Sequence, residues 1–349
     1  MGFWGINEQN KQRINLSNHA NNVVEYDAQN FNQKSKNELI NKVIRYIEKH
    51  NLTKERELDE YREEVTRIMS LTNGIDNISE ITRQLTALKK EEIITALGEN
   101  KTHKRNQSGQ YFRISNAARK WLESDTNHED EFYTSLEHFL NTILEDYAGK
   151  SSYERECIIF DEKIEELNLY ILGKNWINVY FSGSTTPVTI FPVKILSDDN
   201  NMYPYLACFQ LNKDGSTSIA SYRIARFPDD IRIVFNGRKI TDSEYSDLER
   251  RISESGIMFL ADDAIDISVK MTPRSIDTYE RARHLRPAIT SIDSKDPSIY
   301  HFRCTEFQAE KYFIRFADEI EILAPESLRV KFHQKFVEAA AIYERAKTN

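Results

Sequence analysis

The chain has 349 residues, enough for two or three ordinary domains. Hydrophobic residues make up 40% and charged residues 29%, and the formal net charge is −8, which excludes a chain that binds nucleic acid through its global charge. No run of about twenty apolar residues spans a membrane, the opening residues carry no secretory apolar segment, and Cys157, Cys208 and Cys304 lie too far apart for a metal cluster or redox pair. The expectation is a cytoplasmic protein with reduced thiols and no membrane partner. Segment 1–34 is rich in Asn and Gln and reads as a polar N-terminal arm. "SKNELINKVIRYIEKH" then places Leu39, Val43, Ile44 and Ile47 at helical spacing behind Ser35 as N-cap, and a charged helix follows over 53–71. In "NISEITRQLTALKKEEIITAL", Asn77 and Glu80 have the spacing of a capping box. Ile78, Ile81, Leu85 and Leu88 make one apolar stripe, leaving Ser79, Thr82, Arg83, Thr86 and Lys89 or Lys90 on the other faces.

"IITAL" and "QYFRIS" read as two strands joined by "GENKTHKRNQSG", and from Lys101 to Lys120 there are six Lys or Arg and no acid. Three helices followed by a basic hairpin form the pattern of a winged helix-turn-helix over 35–124, with its third helix in the major groove. Arg83 suits guanine edges, Ser79 and Thr82 suit base edges or phosphate, and Lys101, Lys104 and Arg105 suit phosphates. Thr86 and Lys89 complete the expected DNA-binding face. The same pattern also reads as a solvated helix face beside a soluble basic loop. His103 has no neighbour at metal-ligand spacing and reads as a solvent-exposed residue or phosphate contact.

"SNAARKWLES" closes that unit, with Ser115 or Asn116 as cap and Trp121 and Leu122 packing it down. Over 125–160, Phe132, Leu136, Phe139, Leu140, Ile143 and Tyr147 line one side of an amphipathic helix ending at Gly149. This segment is expected as a helical linker or dimerisation segment, and the residues equally allow packing within the domain. From 161 a helix leads into "NWINVYFSG", "TPVTIFPVKILS", "MYPYLACFQL", "STSIASYRIARF" and "DIRIVF", five short β segments that argue for a small, bent antiparallel sheet or barrel over 161–240. In "SYRIARF", strand alternation sends Tyr222, Ile224 and Arg226 one way and Arg223, Ala225 and Phe227 the other. Two arginines among apolar neighbours either snorkel or hold an anion.

The order of these pieces resembles the WYL domain. Pro192 falls where a strand of that family ends in proline, and Pro204-Tyr205-Leu206 falls at the Trp-Tyr-Leu position. Tyr222, Arg223, Ile224, Arg226 and Phe227 match the arginine-bearing strand in kind, with Ala220 in place of its first arginine. "ADEIEILAPESLRVKFHQKFVEAAAIYE" is similar to the end of the extension that follows WYL domains, and Pro325-Glu326-Ser327 makes a sound helix opening. "DDAIDISVKMTP" and "SIYHFRCTE" supply strands of that α+β extension over 241–349.

What the resemblance implies is a multidomain α+β chain: winged helix-turn-helix, Sm/SH3-like small β-barrel and C-terminal α+β extension. It further implies a ligand-responsive bacterial transcription regulator, a homodimeric repressor of a phage-defence or neighbouring operon. Double-stranded operator DNA, a second copy, and a nucleotide or single-stranded nucleic-acid effector are the implied partners. Tyr203, Tyr205, Ser221, Arg223 and Arg226 are the implied effector site, the arginines as bidentate donors. The alternative is an accessory WYL protein that binds RNA or single-stranded DNA and modulates a nuclease partner. No Gly-rich phosphate loop, G-x-S-x-G, H-E-x-x-H or C-x-x-C occurs. Asp229 and Asp230 in "FPDD" lack an acidic-x-lysine companion on the next strand and read as turn residues, as does "ADD" at 261–263. Neither an enzyme nor a cofactor is expected.

Overall fold

Hydroxyl side chains set most helix starts in the N-terminal half. Ser17, Ser35, Thr53, Ser115, Ser135 and Ser151 each accept a backbone N–H from the first helical turn, satisfying a donor that has no intrahelical acceptor. The computed structural model describes residues 11–71, 77–99, 109–124, 129–181, 183–197 and 202–345. The chain divides into two units, Met1–Asp161 and Glu162–Asn349.

The first unit runs β1 (Lys11–Ile14), α1 (Asn18–Asn30), α2 (Lys36–Lys49), α3 (Lys54–Ser70), α4 (Ile78–Glu99), β2 (Gln110–Arg113), α5 (Asn116–Leu122), α6 (Leu136–Gly149) and α7 (Ser152–Ile159). Its core gathers Leu39, Ile40, Val43 and Ile44 of α2 with Val24, Phe112, Leu122, Phe139, Leu140 and Tyr147. Within the segment expected as a polar arm, described from residue 11, Leu16, Ala20, Val24 and Ala28, spaced four apart, carry α1 into this core. The Ser17 backbone N–H and hydroxyl both donate to Glu145 of α6, at 2.6 and 2.8 Å. Segment 125–160 contributes α6 and α7, and α6 is buried along most of its length within this unit.

"IITAL" is not a strand. It is the last part of α4, where Ile93 and Leu97, one helical turn apart, are buried while Ile94 between them is exposed. The strand that pairs with β2 is β1, antiparallel, with Lys11 opposite Arg113 and Arg13 opposite Tyr111.

The second unit opens with α8 (Asp161–Leu172). A five-stranded antiparallel sheet follows: β3 (Trp176–Val179), β4 (Val188–Ser197), β5 (Pro204–Leu211), β6 (Thr217–Arg223) and β7 (Ile231–Val234), in the order β6-β5-β4-β3-β7. One face of it packs Trp176, Phe191, Ala207 and Phe209 against Leu248 of α9 (Asp242–Ser255) and against Ile257 and Leu260. The remaining elements are β8 (Ile265–Met271), α10 (Pro273–Arg281), β9 (Ile289–Ile292), β10 (Ile299–Cys304), α11 (Glu306–Phe313), β11 (Ile320–Ala324) and α12 (Glu326–Arg345). Their strands form a four-stranded antiparallel sheet in the order β11-β8-β10-β9, cored by Ile267, Val269, Phe302, Tyr312, Phe313 and Leu328. The architecture is multidomain α+β. Among the described residues, no helix is long and apolar enough to cross a membrane.

Candidate functional site

Two surfaces collect the residues of interest, one in each unit. In the first, α4 packs with α3, and Lys89 Nζ sits 5.9 Å over the Tyr61 ring of α3. That inward side of α4 also carries Thr82 and Thr86, only 7% and 8% exposed. Both were expected on the DNA-facing side, and both are displaced from it. Their short side chains suit a close helix contact, and the Thr86 hydroxyl donates to the Thr82 carbonyl at 2.7 Å, one turn back. The apolar stripe is rotated accordingly, and Leu88 is 61% exposed.

Ser79 and Arg83 do lie on the exposed side. Arg83 Nε and Nη2 donate to the two oxygens of Glu80 at 2.9 and 2.7 Å, and Gln84 Nε2 donates to the same carboxylate at 2.8 Å. These hydrogen bonds lower the Glu80 pKa and raise that of Arg83. Glu80 is therefore engaged along the helix, and Asn77, at φ 66, stands in the left-handed region where the capping box was expected. Lys89 is ion-paired with Glu92 at 2.9 Å, and Lys90 with Glu131. Lys101, Lys104, Arg105 and His103 lie outside the described residues.

The β1–β2 pair supplies what the sequence alone does not show. Alternation along the two strands puts Lys11, Arg13, Tyr111 and Arg113 on one exposed face, with Ile14 and Phe112 buried on the other. Tyr111 is 70% exposed. The sequence signal for this face was the basic run from Lys101 to Lys120, which includes Arg113; the two cations of β1 join it through a pairing between distant segments.

In the second unit, Tyr205 of β5 stands opposite Arg223 of β6, and Ala207 stands opposite Ser221. Tyr205, Ser221 and Arg223 therefore share the sheet face that carries Phe209 and α9. The Arg223 guanidinium carbon lies 3.6 Å from the centroid of the Tyr203 ring, a close stack that fixes the plane of its donor fork. On the opposite face, Tyr222 stacks on Phe181 at 4.6 Å and touches Phe227 edge-on at 6.2 Å. The strand alternation expected through residue 227 stops at Arg223, because Ile224–Arg226 turns as a 3₁₀ segment around the buried Ile224. Arg226 is exposed on that turn, so the structure brings four of the five expected residues to one region of β5 and β6 and sets Arg226 apart. Asp230 pairs with Arg232 at 2.7 Å beside the same turn.

No family model and no curated protein matches the sequence. The structure is similar to a solved one described as a CRISPR Cas-related protein, with a TM-score of 0.71 and 20% identity over 96% of this chain and 94% of that chain. What the two share is the fold, over nearly the whole of both chains. Proteasome accessory factor B/C of Arthrobacter aurescens aligns over 67% of this chain and 37% of its own, at 15% identity and a TM-score of 0.26, too low to bear on the fold.

Proposed function

We propose that the chain is a ligand-responsive, DNA-binding transcription regulator, a homodimeric repressor acting in a defence-related locus. The first unit binds the operator duplex, and the Tyr203–Arg223 cluster senses a nucleotide or single-stranded nucleic-acid effector. One observation carries this reading: the exposed β1–β2 face with Lys11, Arg13 and Arg113, whose β2 strand follows the basic segment 101–108 in sequence. A two-stranded sheet with a cationic outer face suits contact with a phosphate backbone, leaving the exposed side of α4 for base edges. There Arg83 suits guanine and Gln84 suits adenine once Glu80 releases them. The fold shared with a CRISPR Cas-related protein supports the defence context.

Fluorescence anisotropy tests the proposal, comparing the duplex upstream of the chain's own gene with scrambled duplex and single strand across a salt series. Tight selective duplex binding is expected, and the K11A/R13A/R113A variant should flatten the log–log salt slope by about 2.7, three phosphate contacts' worth. An unchanged slope for that variant would remove the first unit from the DNA. The accessory reading, in which the second unit binds RNA or single-stranded DNA directly, is favoured by the guanidinium–tyrosine stack, a geometry suited to unpaired bases. It becomes the better one if single strands win and Arg223→Ala, not the triple variant, abolishes binding.

A further inference from the structure

The loop between α10 and β9 presents a concentration of positive charge that the proposed function does not use. From Arg281 to Ile292 the chain reads "RARHLRPAITSI", with three arginines, a histidine and no carboxylate. Asp277 and Glu280 precede it on α10. Arg281, Arg283 and His284 are exposed, and Arg315, in the 3₁₀ segment that follows α11, approaches the same loop.

The loop is built rather than loose. Its carbonyls are drawn inward by side chains of the domain core. The Tyr312 hydroxyl donates to Ala282 O at 2.9 Å, and the Tyr279 hydroxyl donates to Pro287 O at 2.8 Å. Gln308 Nε2 donates to Leu285 O and Arg315 Nη2 to His284 O, both at 3.4 Å. Leu285 is held at φ 64, a left-handed conformation that leucine adopts only where its surroundings impose it. With the carbonyls turned in, the cationic side chains point out from a fixed frame. Arg286 lies 5.1 Å over Tyr279 and Arg315 lies 4.5 Å over Tyr312, and the two rings meet edge to face.

The arginines here are also used differently from others in the unit. Arg232, Arg238, Arg250, Arg251, Arg303 and Arg329 each pair with a carboxylate. Arg281, Arg286 and Arg315 instead donate to backbone carbonyls, and among the described residues none of the three is ion-paired with a carboxylate. In a chain of net charge −8, a rigid loop of guanidinium groups is suited to an anionic polymer.

We propose that the 281–286 loop, with Arg315, grips the phosphodiester backbone of a nucleic-acid strand, a contact separate from both the β1–β2 face and the Tyr203–Arg223 cluster. Guanidinium groups spaced along a fixed loop suit successive phosphates, and phosphate contacts carry no sequence information directly.

The full-length protein is the material for the test. Anisotropy titrations of a mixed-sequence single strand and of a duplex are run across a salt series, for the parent, R281A/R283A and R281K/R283K. The same set is repeated in the K11A/R13A/R113A background, so that failure of the first-unit reading shows in that triple variant alone. R281A/R283A should weaken one of the two probes about tenfold at low salt, and should flatten the slope by about 1.4 for a single strand or about 1.8 for a duplex. The probe affected identifies the strand form held, and the lysine variant should keep the parental slope. Both side chains are exposed, so the thermal unfolding midpoint should not move. Parental affinity and slope in R281A/R283A for both probes would overturn the proposal. So would an affinity loss with no change of slope, which would place the effect in the fold.

Discussion

The Glu129 carboxylate is buried, 1% exposed, at the start of α3, where it accepts the Glu55 backbone N–H at 3.1 Å. Loss of water dominates and raises its pKa from 4.5 to about 7, against the pull of the backbone donors. A folded pKa above the unfolded one means that the native chain holds a proton the unfolded chain releases. The associated stability is present below pH 4.5 and is lost as pH rises through about 7, amounting to about 3 kcal/mol. Urea unfolding of the parent should therefore show stability falling across that window relative to Glu129→Gln. Parallel pH profiles for the two proteins would refute the assignment. Asp27 is a second buried carboxylate, and its neighbours supply it with donors. The Tyr147 hydroxyl donates to Asp27 Oδ2 at 2.7 Å and Arg155 Nε donates at 2.6 Å, joining α1, α6 and α7. Asp27→Ala strands a nearly buried guanidinium and should cost about 3–5 kcal/mol, whereas Tyr147→Phe should cost about 1–2 kcal/mol in the same denaturation experiment.

At the scale of elements, α4 is the helix whose orientation matters most. Among the described residues the Thr82 hydroxyl oxygen is buried without a hydrogen-bond partner. Valine has the same shape and no such oxygen, so Thr82→Val should leave stability unchanged or raise it by about 1 kcal/mol, and should leave duplex affinity at the parental value. Arg83→Ala should lower duplex affinity severalfold at unchanged stability. A loss of duplex binding in Thr82→Val would mean that α4 shows DNA its other side. The sequence misplaced Thr82 and Thr86 because polar residues at i and i+4 look solvated, and only the packing with α3 reveals them as the contact side. Elements with a strong period of their own were legible: α2 and α6 from their apolar stripes, β4, β5, β8 and β10 from their β-rich runs between turns. Less legible was α1, whose four-apart apolar positions are hidden among Asn and Gln. The β-branched "IITAL" suggested a strand, but burial of Ile93 and Leu97 on one side decides for a helix, a case of packing overriding propensity. β1, four residues with two cations, has no strand signal until its antiparallel neighbour is known. For the same reason Tyr205, Ser221 and Arg223 were legible as one face from alternation, while the departure of Arg226 required knowing where β6 ends.

For the whole molecule, the distribution of charge is more informative than its sum. At a net charge of −8, the proposed duplex contacts need cations to outnumber acids locally, as they do in the sequence of segment 101–120 and on the β1–β2 face. Among the described residues, each unit has a hydrophobic core of its own residues. In the proposed regulator, an effector at Tyr203 and Arg223 changes operator affinity by shifting an equilibrium between arrangements of the whole dimer. Such coupling is reciprocal: if a saturating effector changes operator affinity by a given factor, saturating operator changes effector affinity by the same one, typically about 5- to 150-fold. Arg223→Ala should leave effector-free operator affinity at the parental value and abolish the shift, because it removes the effector's differential contact and leaves the duplex contacts in place. Paired titrations measure both sides of this cycle, operator with and without effector and effector with and without operator. Unequal factors would show that the two surfaces do not bias one common equilibrium. An Arg223→Ala protein with weakened effector-free operator binding would put Arg223 in the scaffold of the dimer, not in its sensor.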